Sequence, residues 1–176
     1  MRRALVRPLA RFGGAERGAA AMEFALILPF LVIMHLAVVE FVQGWQVRTR
    51  VGHVAASIAD VASQSRSLGN AELNDILLAG DAMMQPYPTA PLGERITSLS
   101  ANGQGVVSAD WSVSRNFPSG PAPVTPRGFL AANESVIVAE TVYDYRPGIR
   151  IIMPERVRLR HAAYVRPRVS AKVEKR

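Results

Sequence analysis

Sixteen consecutive residues, Phe24 to Val39, carry no charged side chain and are almost all apolar. With its flanks the stretch Ala19–Val42 is helical in character. At 1.5 Å per residue its 24 residues reach about 36 Å, enough to cross a bilayer with some tilt. Two residues are costly inside it. Pro29 removes a backbone hydrogen bond and is expected to kink the helix. Glu23 must snorkel, protonate or find a partner. His35 and Glu40, nearer the far side, are expected to face an interface or neighbouring subunits. Just ahead of the apolar run stands a small-residue junction, Arg17-Gly18-Ala19-Ala20. An ordinary secretory signal places its small-residue cleavage site after the apolar region. Here the order is reversed.

At 176 residues the chain has room for one membrane segment and one small domain. Cysteine is absent, which removes disulfides, thiolate metal sites and cysteine nucleophiles together. The net charge of +7 is unevenly placed. Met1–Gly18 carries +4, Arg146–Arg176 carries +8, and the 127 residues between them carry −5. Charge at the two ends fits a membrane-flanking leader and a basic tail, and there is no basic core of the kind nucleic-acid binding would use. The arginines of the leader would hold it on the cytoplasmic side by the positive-inside bias.

After Trp45 the pattern becomes amphipathic. Val47, Val51, Val54, Ile58 and Ala62 recur at steps of three or four, with Arg48, Arg50, Ser57 and Asp60 off that face. One continuous helix is expected from about Ala20 to Ser65, with Gly44 and Gly52 as flexible joints. A second helix is expected over Ala71–Met84, capped by Asn70 and burying Leu73, Ile76, Leu77 and Met84. Pro86 and Pro88 end it. Strands over Arg95–Ser100 and Gly105–Ser114 flank the hairpin signal Asn102-Gly103. In the second of them Val107, Ala109, Trp111 and Val113 are expected on one buried face. Asn116–Pro126 is a Pro-rich loop. Ser135–Tyr145, rich in β-branched and aromatic residues, is the expected central strand. Arg156–Tyr164 alternates arginines with apolar residues and reads as a solvated edge. Val165–Arg176 reads as a disordered basic end.

No catalytic constellation emerges. His35, His53 and His161 fall in the membrane span, the following helix and a strand, without metal-type spacing or a nucleophile. Gly103-Gln-Gly105 joins two strands and so is a turn rather than a phosphate loop. Asn133-Glu134-Ser135 matches the glycosylation triplet, which is short enough to arise by chance. Asp110-Trp-Ser-Val-Ser114 matches the D-x-S-x-S metal motif of von Willebrand A-type domains. That motif needs an apolar strand before it and a helix directly after, where this chain has Pro118, Pro121 and Pro123.

The junction Gly18-Ala-Ala-Ala-Met-Glu23-Phe24 resembles the processing site of type IV prepilins. More closely, RGAAAMEFALILPFL resembles the N-terminus of TadE-like pseudopilins of the bacterial tight-adherence (Flp pilus) system, and SVIVAETVYDYRP and RHAAYVRPR agree with that family. The resemblance covers the stalk and the C-terminal third. It implies cleavage by a prepilin peptidase between Gly18 and Ala19 on the cytoplasmic side. Glu23 then becomes the fifth mature residue, free to pair with the new amine of Ala19, its own or a neighbour's. The major pilin of such systems is far shorter and usually has Tyr where this chain has Phe24. The resemblance is therefore to a minor pilin or assembly factor. The longer TadG-like relatives carry a von Willebrand-type domain, which this length and the broken D-x-S-x-S context argue against.

The expectation is thus an α+β, pilin-like protein. Residues 1–18 form a basic leader, 19–45 a transmembrane helix, 46–165 a periplasmic domain of helix and antiparallel sheet, and 166–176 a basic disordered tail. It would be a single-pass inner-membrane protein acting by interaction, with no catalysis, cofactor, metal, nucleic acid or small-molecule substrate. Its expected partners are the prepilin peptidase, other pilin or pseudopilin subunits and membrane lipid. The alternatives are a signal-anchored envelope domain that binds a ligand, and a Mg²⁺-dependent adhesion module using Asp110, Ser112 and Ser114.

Overall fold

The computed structural model describes residues 16–126 and 128–176. The leader up to Ala15 lies outside the described residues. Helix α1 (Glu16–Ser63) runs unbroken for 48 residues through Pro29, about 70 Å at 1.5 Å per residue. Its first half is exposed from Met22 to Met34, and its second half is packed. The division follows the sequence. Where apolar residues ring the whole helix there is no core to meet them. Where they narrow to the stripe Val47, Val51, Val54, Ile58 and Ala62, every one is buried. Each valine or isoleucine so buried contributes roughly 1.5–3 kcal/mol, and Ala62 less.

Helix α2 (Asn70–Met84) lies beside α1 and buries Leu73, Leu77, Gly80 and Met84. The expected Asn70 cap is corrected to Gly69. The N–H of Gly69 donates to the Glu72 carboxylate at 2.7 Å, one half of a capping box. Four antiparallel strands follow: β2 (Leu92–Ala101), β3 (Val107–Arg115), β4 (Ser135–Tyr145) and β5 (Val157–Val165). Their order is β3-β2-β4-β5, so β4 is internal and the arginine-bearing β5 is an edge, as the sequence pattern implies. The fold is α+β, with α1 packed over β4 and β5.

Three expectations need correction. In β3 the single apolar face does not exist. A bulge between Ser98 and Leu99 of β2 leaves Asp110 unpaired, so Trp111 opposes Ser98 while Ala109 opposes Leu99. Trp111 and Val113 therefore face the helices. Val107 and Ala109 turn to the far face, where the Pro-rich segment and Leu130 line a groove with them. That far face also holds a second small core of Leu99, Ala101, Leu130, Val136 and Val138, so β4 is buried on both sides.

Gly44 and Gly52 are not joints. They are points of close approach in a continuous helix. A Cβ at Gly44 would stand 2.5 Å from Met153 Cε, and one at Gly52 would stand 3.3 Å from the His161 ring.

The tail, expected to be disordered over 166–176, is tied down. A short strand β6 (Glu174–Lys175) pairs in parallel with β1 (Ser67–Leu68), between α1 and α2. Val173 is fully buried, and its carbonyl accepts the Trp111 indole N–H at 2.8 Å. Arg168 pairs with Asp60, and Arg176 meets Glu72 at 2.7 Å. The Gly69 N–H, joined by Arg176, holds the Glu72 carboxyl below its usual range. The cationic residues that made this segment look unfolded are half of its attachment.

Candidate functional site

Gly18, Ala19 and Glu23 all lie in the first turns of α1, and Glu23 is exposed on the helix surface. Ala19 and Glu23 are four residues apart, so they share one helix face about 6 Å apart along the axis. If the chain is cut at Gly18, the new amine stands one turn from a carboxylate on the same side. The pair can then close within one helix or bridge to the next. From Phe24 onward the surface of α1 is a sleeve of exposed apolar side chains. It is the one described helix long and apolar enough to cross a membrane, with a mean hydropathy of 2.4 over its most apolar window. His35 is exposed on this sleeve.

Glu40 departs from expectation. It was expected to face an interface or other subunits, and instead it is wholly buried within its own chain. One carboxylate oxygen accepts the N–H groups of Ile151 at 2.8 Å and Ile152 at 2.9 Å, and the other accepts that of Met153 at 3.3 Å. These donors belong to the β4–β5 loop, residues 146–156, more than a hundred positions away in sequence. Gly44, one turn further along the same face, gives Met153 room to lie against the helix. Further down, Thr141 Oγ1 of β4 donates to the Val51 carbonyl at 3.0 Å, a buried tie between sheet and helix. The stalk is thus fastened to the sheet at three levels: Glu40, Gly44 and Val51–Gly52. Sequence reading missed this clamp. The available signal was a second acid in an apolar run with glycine four residues later, matched to a loop rich in isoleucine.

The D-x-S-x-S stretch does not assemble a metal site. Asp110 accepts hydrogen bonds from Ser100 Oγ at 2.8 Å and Ser98 Oγ at 3.4 Å on the helix-facing side. Ser112 shares a hydrogen bond with Thr97 at 2.9 Å, and Thr97 alternates with those serines to the opposite face. The bulge has put the aspartate and the serines on different sides of the sheet, so Asp110, Ser112 and Ser114 do not converge as the adhesion-module alternative requires. Of the three histidines, His161 packs against Gly52, the exposed His53 lines a shallow depression with it on the surface of α1 and β5, and His35 is on the sleeve.

A single exposed apolar helix continuous with a small α+β body defines the class: an α+β domain carrying a helix long and apolar enough to cross a membrane. Residues 18–60 match the family model described as TadE-like protein. The match begins at the Gly18 junction and runs to the buried stripe, in agreement with the resemblance read from the residues. It ends before the two C-terminal stretches that also carried that resemblance. No curated protein and no solved structure matches the chain.

Proposed function

We propose that this chain is a membrane-anchored minor pilin or pseudopilin that takes part in assembling a type IV pilus of the tight-adherence kind, or its associated secretion machine. The leader stays in the cytoplasm, a prepilin peptidase cuts after Gly18, and α1 holds the protein in the inner membrane with the α+β body on the periplasmic side. The protein works by contact, with no catalytic step of its own. Its partners are the peptidase, other pilin-like subunits and the lipid around the helix. The observation that carries this reading is the position of Gly18, Ala19 and Glu23 at the head of one continuous apolar helix. The similarity of residues 18–60 to TadE-like proteins supports it.

The chemistry gives Glu23 a specific task. A carboxylate at the edge of a hydrocarbon layer is relieved by an ammonium partner, and the mature Ala19 amine is one. Pairing between neighbouring helices would fix their stagger along the axis. Glu23→Ala should leave the protein in the membrane at normal abundance but abolish its co-assembly with other pilin-like subunits, and Glu23→Asp should restore part of it. Unchanged pilus formation and subunit co-purification in Glu23→Ala would instead favour a signal-anchored domain in which the Gly18-to-Glu23 spacing is incidental.

A further inference from the structure

The β4–β5 loop presents three isoleucines outward, Ile149, Ile151 and Ile152, the last of them 55% exposed. Arg146, Arg150 and Arg156 are exposed on the same eleven residues, against one acid, Glu155, which lies 3.9 Å from Arg150. Three branched aliphatics exposed within four residues, beside arginines, make a small amphipathic patch. Such a patch suits a loop at the boundary of a lipid layer, because the apolar tips enter the acyl region while the guanidinium groups stay with the phosphates.

Its height on the stalk fits that boundary. Glu40, which holds the loop, is seventeen residues from Glu23, or about 25 Å along the helix. A hydrocarbon layer is about 30 Å thick. With Glu23 at one edge, Glu40 therefore lies just inside the other. At that depth an unpaired carboxylate and unpaired backbone N–H groups are both expensive. Here each satisfies the other, and the pair needs no water. Trp45, 60% exposed five residues further on, takes the position where indole rings collect at a membrane surface.

We propose that the loop over residues 146–156 is a second membrane contact, dipping into the outer boundary of the bilayer that α1 crosses and binding anionic phospholipid headgroups through Arg146, Arg150 and Arg156. It rests on the reading of α1 as a membrane anchor. The clamp at Glu40 then does more than fix the sheet to the stalk. With two contacts on one lipid surface the body cannot tilt freely, so its height and inclination over the bilayer are fixed.

The chain lacks cysteine, so single reporters can be placed in the full-length protein without a background. Ile152→Cys, Leu31→Cys in mid-helix and Val124→Cys on the Pro-rich segment would each carry an environment-sensitive fluorophore. The labelled proteins go into vesicles of phosphatidylcholine with or without phosphatidylglycerol, some doped with quencher-bearing lipid. The Ile152 probe should be quenched at shallow depth, the Leu31 probe deeply, and the Val124 probe not at all. Replacing Arg146 and Arg150 by Gln should shift the Ile152 probe toward water on anionic vesicles by about fivefold per charge removed in the in/out ratio. An Ile152 probe as wet as Val124, beside a quenched Leu31 probe, would overturn the loop contact while leaving the anchor intact. If neither probe is quenched, the anchor reading fails as well. Efficient disulfide formation between Ile152→Cys copies, without lipid quenching, would assign the loop to a neighbouring subunit and equally overturn the proposal.

Discussion

Glu94 lies on the helix-facing side of β2, fully buried. Its Oε2 is 3.3 Å from Arg115 Nη1, while Oε1 has no hydrogen-bond partner among the described residues. Arg115 is more closely engaged with Asp81, at 2.6 Å. The backbone of α2 passes so near that a Cβ at Gly80 would clash with Oε1. Burial pushes the Glu94 carboxyl up to about 7 and Asp81 adds to the rise, while Arg115 opposes it. The folded state therefore holds a proton that the unfolded chain releases near 4.5. Between those values the native state binds more protons than the unfolded one, so stability falls as pH rises and the loss is complete above about 7. At 1.36 kcal/mol per unit this amounts to at most about 3 kcal/mol. Glu94→Gln should flatten the dependence of melting temperature on pH between 5 and 8 for the detergent-solubilised full chain. Parallel profiles for the two proteins would mean that Glu94 stays ionised throughout. Nothing in LGERITSLSA announces this. Glu94 and Arg95 are adjacent and point to opposite faces, Arg95 reaching Glu140 at 2.7 Å, and a pattern of polar residues cannot say which of two will be orphaned.

Among the elements, those with a local pattern were legible. The stripe from Val47 to Ala62, the second helix, the hairpin around Asn102 and the β-branched strand β4 each follow from spacing and propensity. Even there the detail depended on a partner. Asn102 does shape the hairpin turn, since its side chain accepts the N–H groups of Gln104 and Val106, each at 2.9 Å. It is Gly105, however, and not Gly103, that takes the left-handed conformation, with φ 76°. The bulge at Asp110 and the docking of the tail are long-range events with no local signature. A parallel pairing of two residues with two others, 107 positions away, cannot be read from either segment. It should still matter energetically. Ending the chain after Arg166 removes the burial of Val173, roughly 2 kcal/mol, and the Trp111 hydrogen bond, roughly 1 kcal/mol. Such a truncation should lower the unfolding free energy by about 3 kcal/mol in total. In a Trp45→Phe background it should also shift the emission of Trp111 to the red. A truncated protein with full-length stability and unchanged emission would show the tail to be dispensable.

The whole molecule is a stalk and a body joined without a hinge. Glycines that might have loosened the joint instead let the β4–β5 loop and β5 press against the helix, and a buried carboxylate holds the loop from the stalk side. On the proposed assembly role, a stagger fixed between two stalks would be transmitted through that continuity to the bodies they carry. The apolar half of the helix was visible in the sequence, since sixteen uncharged residues in a row mark it out. The joint was not, because its donors and acceptor come from opposite ends of the chain. A pilin-like subunit of this kind is made at Gly18, by removal of its leader. Mass spectrometry of the protein extracted from membranes of cells that contain a prepilin peptidase should find a mature chain beginning at Ala19. A chain that still carries its leader in those cells would contradict the proposed role.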